Sequence, residues 1–237
     1  MKGLQLPLGV QLPDTASFET YYAGPNAEAV AALRAAAGDT AAPLMLLFGP
    51  AGTGKSHLLQ ALTRAAARTL ACAYAPLREL NADGAGAADT LDGLERAQLV
   101  CLDDVDAVLE HADWPLALLR LLDALRANGG RAVISAPSAP ERLALTLPDL
   151  RTRLAAAAVY GLKPLSDRDR TGLLLERARG RGLELPEDAA RHLLSRLPRD
   201  AGSLVDAIDR LDRALLSAQR KLTLSFVQQW LKDEPAA

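Results

Sequence analysis

Short apolar runs alternate with stretches of helical periodicity between residues 44 and 162. A short continuous apolar run is typical of a buried strand, and apolar residues spaced three or four apart are typical of a helix that packs on one side. Because strands joined through helices form parallel sheets with helices on both faces, the alternation predicts a three-layer α/β domain. The predicted strands are residues 44–48, 70–76, 99–102, 131–134 and 159–162.

The pattern changes after Pro164, where only helical periodicity continues. Ser166 with acids just after it is typical of a helix N-cap, and Pro186 with two following acids is typical of a second helix start. One apolar stripe in the next predicted helix consists of Leu204, Ile208, Leu211 and Leu215. The predicted divisions of the chain are a flexible segment of residues 1–15, an α/β domain of residues 16–163 and an all-helical domain of residues 164–237.

Two connecting segments differ in character. The segment from Pro115 to Asn128 predicts a helix that ends before a Gly-Gly pair. Its expected apolar face consists of Leu116, Leu119, Leu122 and Leu125. The segment from Ala82 to Ala88 is rich in Gly, Ala and Asp, which predicts a mobile loop.

A complete phosphate-loop motif follows the first predicted strand. Glycines in such a loop let backbone N–H groups turn toward a phosphate, Lys55 can reach the β and γ oxygens, and the Ser56 hydroxyl can ligate Mg²⁺. The helix that begins there adds the positive end of its dipole. A chance Gly-rich turn is the alternative, but the strand before and the amphipathic helix after favour a nucleotide site. Its predicted residues are Gly49, Pro50, Ala51, Gly52, Thr53, Gly54, Lys55, Ser56 and His57.

A second motif ends the third predicted strand with two carboxylates, Asp103 and Asp104. A buried strand that stops at a solvated acidic turn would give the same pattern. Beside a complete phosphate loop, however, this is where Mg²⁺ requires an acid. We therefore predict that Asp103 and Ser56 hold the metal and that Asp104 orients or activates water.

Composition limits the classes of protein to consider. The chain has 237 residues, a net charge of −2 and 49% hydrophobic residues, which suit a globular protein and give no sign of bulk electrostatic binding to nucleic acid. No apolar run approaches the about 18 residues of a membrane span, and the N-terminus lacks the features of a secretory signal, so we expect a cytoplasmic protein. Cys72 and Cys101 lie in apolar runs, which indicates buried free thiols without a disulfide, and no spacing indicates zinc.

Several segments together resemble the AAA+ domain of the replication initiator DnaA. They include the continuation of the phosphate loop through residues 56–61, the Asp103-Asp104 ending, residues 18–26, and later segments as far as 219–223. The resemblance implies a three-layer AAA+ nucleotide-binding domain with a parallel sheet, followed by a helical lid domain. It also implies ADP or ATP as the ligand, with Tyr22 and Asn26 near the adenine.

Features near the two ends of the chain resemble one branch of the DnaA-related proteins, the Hda family, which takes part in the regulatory inactivation of DnaA. The chain stops near Trp230, where the initiator continues into a helix-turn-helix DNA-binding domain, so we expect no dedicated DNA-binding domain. Near its start, Gln5, Leu6 and Leu8 are similar to the short peptide that docks on the replicative sliding clamp. In that family the clamp-bound protein promotes hydrolysis of ATP held by DnaA. AAA+ proteins commonly assemble, and the sequence leaves open whether this chain forms a homo-oligomer.

The resemblance also assigns a role to Arg153. It matches the arginine finger that a subunit projects toward the γ-phosphate bound by its neighbour, and Arg151 is the alternative if the alignment is slipped. Two positions depart from the family: Gly202 stands where a sensor arginine is common, and Pro137 stands near the usual polar sensor residue. Ser135 is expected to substitute in part for the latter.

Three functional interpretations follow from these features. The first is a nucleotide-bound, clamp-tethered regulator that acts on the DnaA AAA+ domain, with weak hydrolysis of its own. The second is a self-contained AAA+ ATPase that remodels or loads another protein, as DnaC does; the intact phosphate loop and acid pair support it, and Gly202 and Pro137 oppose it. The third, a DNA-binding fragment of an initiator, conflicts with the mild charge and the absence of a recognition helix.

Overall fold

The computed structural model describes residues 16–38, 42–82, 86–218 and 221–233. The chain divides into two compact units between Lys163 and Pro164, the position at which the helical periodicity takes over. Residues 1–15, which include the predicted clamp-binding residues Gln5, Leu6 and Leu8, lie outside the described residues. No helix in the described part of the chain is long and apolar enough to cross a bilayer.

The first unit contains a five-stranded sheet in which all neighbouring strands are parallel, with the order β2-β3-β4-β1-β5. The five predicted strands are confirmed, with ends that differ by one or two residues. The strands are β1 (Leu44–Phe48), β2 (Cys72–Pro76), β3 (Leu99–Asp103), β4 (Arg131–Ala136) and β5 (Ala158–Gly161).

Helices cover both faces of this sheet, as the alternating pattern predicts. Met45 and Leu47 of β1 belong to one buried cluster, together with residues of the first two helices, whereas Leu46 belongs to the cluster on the opposite face. Successive side chains of a strand point to opposite faces, so a strand buried on both sides reads as a continuous apolar run. The helices of this unit are α1 (Ala27–Ala36), α2 (Lys55–Ala66), α3 (Leu77–Ala82), α4 (Ala87–Leu91), α5 (Trp114–Ala127) and α6 (Pro148–Ala155).

Two predictions in this unit are wrong in part. Leu116 is 45% exposed, because a three-residue step falls about 60° short of a full turn and four such leucines drift around the helix. The buried face of α5 is instead formed by Trp114, Leu118, Leu121, Leu122 and Leu125. The expected loop from Ala82 to Ala88 begins and ends in helix, since α3 includes Ala82 and α4 begins at Ala87; residues 83–85 lie outside the described part.

The described residues of the second unit form four helices joined by short connections, with no strand. Ser166 caps the first helix as predicted: its hydroxyl accepts a hydrogen bond from the Asp169 amide at 3.2 Å, and the Asp169 carboxylate accepts one from the Ser166 amide at 2.9 Å. The predicted stripe of Leu204, Ile208, Leu211 and Leu215 is buried. The helices are α7 (Asp167–Gly180), α8 (Glu187–Leu194), α9 (Ala201–Ala218) and α10 (Leu224–Asp233).

Candidate functional site

The phosphate loop lies between β1 and α2, and its glycines are required by its shape. Gly52 and Gly54 have φ angles of 78° and 85°, a left-handed backbone that side chains disfavour. A Cβ on Gly49 would lie 2.7 Å from the Leu162 carbonyl oxygen, and one on Gly54 would lie 2.6 Å from the ring of Tyr21. The loop therefore runs close to the end of β5 and to the N-terminal segment, which leaves no room for side chains at these positions.

Lys55 is the first residue of α2, and its ammonium bonds to the loop itself. Nζ donates to the carbonyl oxygens of Gly49 at 2.8 Å and Pro50 at 3.3 Å. Thr53 reinforces the turn, since its hydroxyl donates to the same Pro50 carbonyl at 2.8 Å. Ser56 follows in the first turn of α2, where backbone N–H groups have no intrahelical partner. The loop thus presents a cation and a helix N-terminus at one place, which is an arrangement suited to a phosphate.

The N-terminal segment of residues 17–26 contacts the phosphate loop through Tyr21. The Tyr21 hydroxyl donates to the Thr53 carbonyl oxygen at 2.9 Å and accepts from Asn26 Nδ2 at 3.2 Å. Burial raises the pKa of Tyr21 above its usual value. Tyr22, which the resemblance places near the adenine, is half-buried, and Tyr21 was not predicted to contact the loop. The sequence shows two adjacent tyrosines, and the structure decides which of them contacts the loop.

Asn26, which the sequence analysis placed near the adenine, is buried and anchors the segment to the backbone after β5. Its side-chain amide donates to the Lys163 carbonyl oxygen at 3.1 Å, and its amide oxygen accepts from the Lys163 N–H at 2.8 Å. Through these two hydrogen bonds, the side-chain amide of Asn26 pairs with both the N–H and the C=O of Lys163, as the backbone of a neighbouring strand would. Asn26 therefore fixes the position of the segment that carries Tyr21.

His57 points toward the N-terminal segment. Its Nε2 lies 2.9 Å from the Ser17 carbonyl oxygen and 3.3 Å from the Thr20 hydroxyl. Its ring also packs against that of Tyr21, with centroids 5.7 Å apart. The residue that we predicted in the nucleotide site thus connects α2 to the turn at residues 17–20.

Asp103 is buried at the end of β3, and both of its carboxylate oxygens accept hydroxyl hydrogen bonds. Tyr74 on β2 donates to Oδ2 at 2.7 Å, and Ser135 on β4 donates to Oδ1. Gln60 of α2 donates to the Tyr74 hydroxyl at 3.2 Å. Burial and the negative charge of Asp103 raise the pKa of Tyr74 well above its usual value, so this phenol stays protonated as a donor.

Asp104 has an unusual backbone and an ionic partner. Its φ of 55° is the one positive φ at a non-glycine residue in the described part of the chain, and its N–H donates to the Ser135 hydroxyl at 2.9 Å. Its carboxylate lies 2.9 Å from Arg78 Nε, and Arg78 Nη2 lies 3.2 Å from Asp106. The hydrogen bond and charge of Asp104 raise the pKa of Arg78. Arg78 was missed because it follows β2, and only the pairing of β2 with β3 brings it to the acid.

The two side chains predicted to hold Mg²⁺ are of the chemical type that this hard cation prefers, since Ser56 carries a hydroxyl oxygen and Asp103 a carboxylate. Both Asp103 oxygens already accept hydrogen bonds, from Tyr74 and Ser135. No group of three or more His, Cys, Asp or Glu side chains suited to a metal occurs among the residues described. A metal held here would therefore depend on phosphate and water oxygens for the rest of its coordination.

The two candidate arginines lie on α6 and contact different groups. Arg153 Nη2 donates to the carboxylate of Asp123 on α5, and the Arg153 side chain is 28% exposed. Arg151 Nη2 donates to the Leu145 carbonyl oxygen at 2.6 Å. The structure therefore fixes Arg153 by an ion pair and Arg151 by a contact with the backbone that precedes α6.

Gly202 and Pro137, the two positions at which the sequence departs from the DnaA pattern, lie among the described residues. Gly202 lies in the first turn of α9, where an added Cβ would be 3.3 Å from the Asp200 carboxylate. Arg199, three residues earlier, pairs with Asp167 within the helical unit. Pro137 follows the last residue of β4, and Ser135, in the strand, bonds to Asp103 and Asp104.

Comparisons with known proteins agree with this architecture. Residues 167–231 match the family model described as the lid domain of Hda. The chain is similar to domain III of the replication initiation protein DnaA from Thermotoga maritima, with 22% identity, a TM-score of 0.75, and coverage of 94% of this chain and 98% of that one. It is similar to AMPPCP-bound DnaA from Aquifex aeolicus, with 18% identity, a TM-score of 0.67, and coverage of 87% and 71%. It is also similar to the Thermotoga maritima branch migration motor RuvB, with 17% identity, a TM-score of 0.65, and coverage of 91% and 73%.

The fold class predicted from the sequence is confirmed, because a five-stranded parallel sheet with the phosphate loop after β1, followed by a helical unit, is the fold of the DnaA and RuvB structures. Residues 167–231 are thus similar to the lid domain of Hda, and the fold of the chain is that of the solved DnaA structures.

Proposed function

We propose that this protein is a nucleotide-bound regulator of replication initiation that promotes hydrolysis of the ATP held by DnaA while docked on the sliding clamp. The observation that carries the proposal is the Hda lid match at residues 167–231, in a chain whose other unit has a complete phosphate loop. A lid of the Hda type distinguishes this chain from AAA+ proteins that share only the α/β fold.

The proposed ligand is ADP or ATP with Mg²⁺. Residues from Gly49 to Ser56 would surround the phosphates, and the Lys55 ammonium would exchange its bonds with loop carbonyls for stronger bonds to phosphate oxygens. Ser56 and Asp103 would hold the metal, which neutralises phosphate charge when bound. AMPPCP-bound DnaA from Aquifex aeolicus, which has this fold, supports an adenine nucleotide. In the proposal Tyr22 lies near the base, and Asn26 and His57 act by fixing the segment beside the loop.

Weak hydrolysis by the protein itself is part of the proposal. Asp104 would be the group that orients water, but its carboxylate forms an ion pair with Arg78 at 2.9 Å. A carboxylate held by a guanidinium is less free to turn toward a water molecule, because the ion pair must break first. Gly202 also provides no cation from the lid helix α9. These features favour retention of the nucleotide as a structural ligand.

The proposed catalytic contribution to the partner is Arg153. A guanidinium supplied by one AAA+ subunit to the nucleotide of another stabilises the negative charge that develops during phosphoryl transfer. Arg153 lies on α6 with about a quarter of its side chain exposed, and its contact with Asp123 is a surface ion pair. Asp123 accepts from one guanidinium nitrogen, so other N–H donors of Arg153 remain for a phosphate group of a partner.

Clamp attachment is proposed through Gln5, Leu6 and Leu8. A short segment of this composition can enter a pocket with the two leucines as apolar anchors and Gln5 as a hydrogen-bonding group. Tethering raises the local concentration of the regulator beside DNA-bound partners. The alternative, a self-contained ATPase of the loader type, requires rapid turnover by the isolated protein and no dependence on the clamp.

The test measures hydrolysis of radiolabelled ATP preloaded on DnaA, with the purified protein and with clamp loaded on DNA. We expect wild-type protein to accelerate hydrolysis, Gln5→Ala to lose the acceleration, and Gln11→Ala, a matched change in the same segment, to keep it. Unchanged DnaA turnover with the wild-type protein contradicts the proposal. Rapid ATP turnover by the isolated protein without DnaA favours the loader alternative.

A further inference from the structure

Arg153 is held from within its own chain by an acid on the neighbouring helix. Its Nη2 donates to the Oδ1 atom of Asp123, which lies on α5, whereas Arg153 lies in the last turn of α6. The two side chains are 28% and 48% exposed, respectively. The pair is therefore open to solvent on the Asp123 side and partly covered on the arginine side.

One nitrogen of the Arg153 guanidinium, Nε, is buried and makes no hydrogen bond within the described structure. The Asp123 contact is the one ion pair found there for this guanidinium. Without it, the guanidinium would be free to rotate about the last bonds of its side chain, and an arginine loses considerable rotamer freedom whenever it is fixed.

Asp123 itself is fixed by the core beneath α5. Its neighbours Leu121, Leu122 and Leu125 are buried against the sheet, so the helix position is set by packing and the carboxylate extends from a rigid element. α6 packs on the same side of the sheet, where Leu150 and Leu154 join the same cluster. A carboxylate on one rigid helix thus determines where the guanidinium of the other helix can lie.

We propose that Asp123 is a positioning residue for Arg153, and that it orients the guanidinium for the nucleotide of a partner subunit. A guanidinium has five N–H donors, and Asp123 accepts from one nitrogen, so donors remain for a phosphate while the ion pair persists. Preorganisation of this kind matters because small displacements of a charged group cost large factors in rate. This inference rests on the proposed function, in which Arg153 acts on DnaA-bound ATP.

The experiment uses the full-length protein in the assay of DnaA-bound ATP with DNA-loaded clamp, over a range of regulator concentrations. Asp123→Ala should lower the maximal stimulated rate by about tenfold, because the guanidinium is no longer oriented, and leave the half-saturating concentration within about twofold. Asp123→Asn keeps an oxygen acceptor at the same distance and should retain most of the rate. Asp123→Lys, which repels the guanidinium, should lose at least as much as Asp123→Ala.

Asp149→Ala is the matched control, since it removes the same charge from the first turn of α6. It should behave as wild type. Asp123→Ala activity equal to wild type, or higher, overturns the inference, and so does a change confined to the half-saturating concentration, which would make Asp123 a contact with the partner. Failure of the wild-type protein to stimulate hydrolysis contradicts the proposed function instead. If wild type stimulates and Arg153→Ala does not, the Asp123 variants test the positioning role alone.

Discussion

The carboxylate of Asp104 lies 2.9 Å from Nε of Arg78, where β2 and β3 end side by side. Asp104 also adopts a positive φ, and its N–H bonds to Ser135. Asp104, the acid predicted to activate water, therefore contacts a cation on α3, the helix that follows the neighbouring strand β2. This arrangement gives a physical reason for the slow hydrolysis that we propose for a chain whose phosphate loop is complete.

Removal of the cation should increase intrinsic ATP hydrolysis. Arg78→Ala frees the Asp104 carboxylate, and because an exposed ion pair is worth about 1 kcal/mol or less, the gain should be up to about fivefold. The measurement is single-turnover hydrolysis of bound ATP without DnaA. Arg96→Ala, which removes another exposed arginine that pairs with an acid, Glu95, should have no effect. Equal hydrolysis in Arg78→Ala and wild type, at equal nucleotide affinity, would exclude a restraining role.

Ser135, which was predicted to substitute in part for a sensor residue, should also contribute to the stability of the fold. Ser135→Ala removes one of two donors to the buried Asp103 and leaves the Asp104 N–H without its partner. The expected loss in the free energy of unfolding is about 1–3 kcal/mol, measured by urea denaturation. Ser217→Ala, at an exposed site on α9, should change it by about 0.5 kcal/mol at most. A loss at Ser135 as small as that of the control would contradict the account of the network.

Gly54 should be essential for nucleotide binding because of its backbone. Gly54→Ala would place a Cβ 2.6 Å from the Tyr21 ring at a φ of 85°, so the loop must change shape. We expect the affinity for Mg·ADP to fall by about tenfold or more in calorimetric titration. Gly180→Ala is the control, since nothing lies within 4 Å of an added Cβ there, and its affinity should equal that of wild type. Unaltered binding by Gly54→Ala would be inconsistent with a phosphate site in this loop.

The two thiols should make stability decrease at alkaline pH. Burial raises the pKa of Cys101 to about 12 and that of Cys72 to about 11, whereas an unfolded thiol has a pKa of about 8.5. The native state therefore retains protons that the unfolded state loses, and this contribution is fully present below about pH 8 and declines as the pH rises through 9 to 11. Urea denaturation under reducing conditions measures it. The double variant Cys72→Ala/Cys101→Ala should show a smaller decline than wild type, and an equal decline would contradict the assignment.

Much of the fold was predictable because the strands are buried on both faces and follow one another through helices. Continuous apolar runs such as Leu44–Phe48 located the strands, and the phosphate motif located the loop. The buried face of α5 was predicted less well. Leucines spaced three residues apart lie close to one face over two steps, but each step falls short of a full turn, so the set of four leucines drifts around the helix. Leu116 consequently reaches solvent.

The contacts of the site could not be predicted, because they depend on side-chain directions and on strand order. Arg78 and Asp104 are 26 residues apart, and the β2 and β3 pairing brings them together. Asp123 and Arg153 are 30 residues apart and meet because α5 and α6 pack on the same face. In each case the sequence supplied a charged residue without indicating its partner.

In the proposed function, this protein acts on a partner's nucleotide through Arg153. A comparison of Arg153→Ala with Arg151→Ala, a matched change two residues away on the same helix, tests this role in clamp-dependent hydrolysis of DnaA-bound ATP. We expect Arg153→Ala to lower the stimulated rate by about a hundredfold or more and Arg151→Ala to retain it, because only the former removes charge from the transition state. Full stimulation by Arg153→Ala, or its loss in Arg151→Ala alone, would show that Arg153 does not have this role.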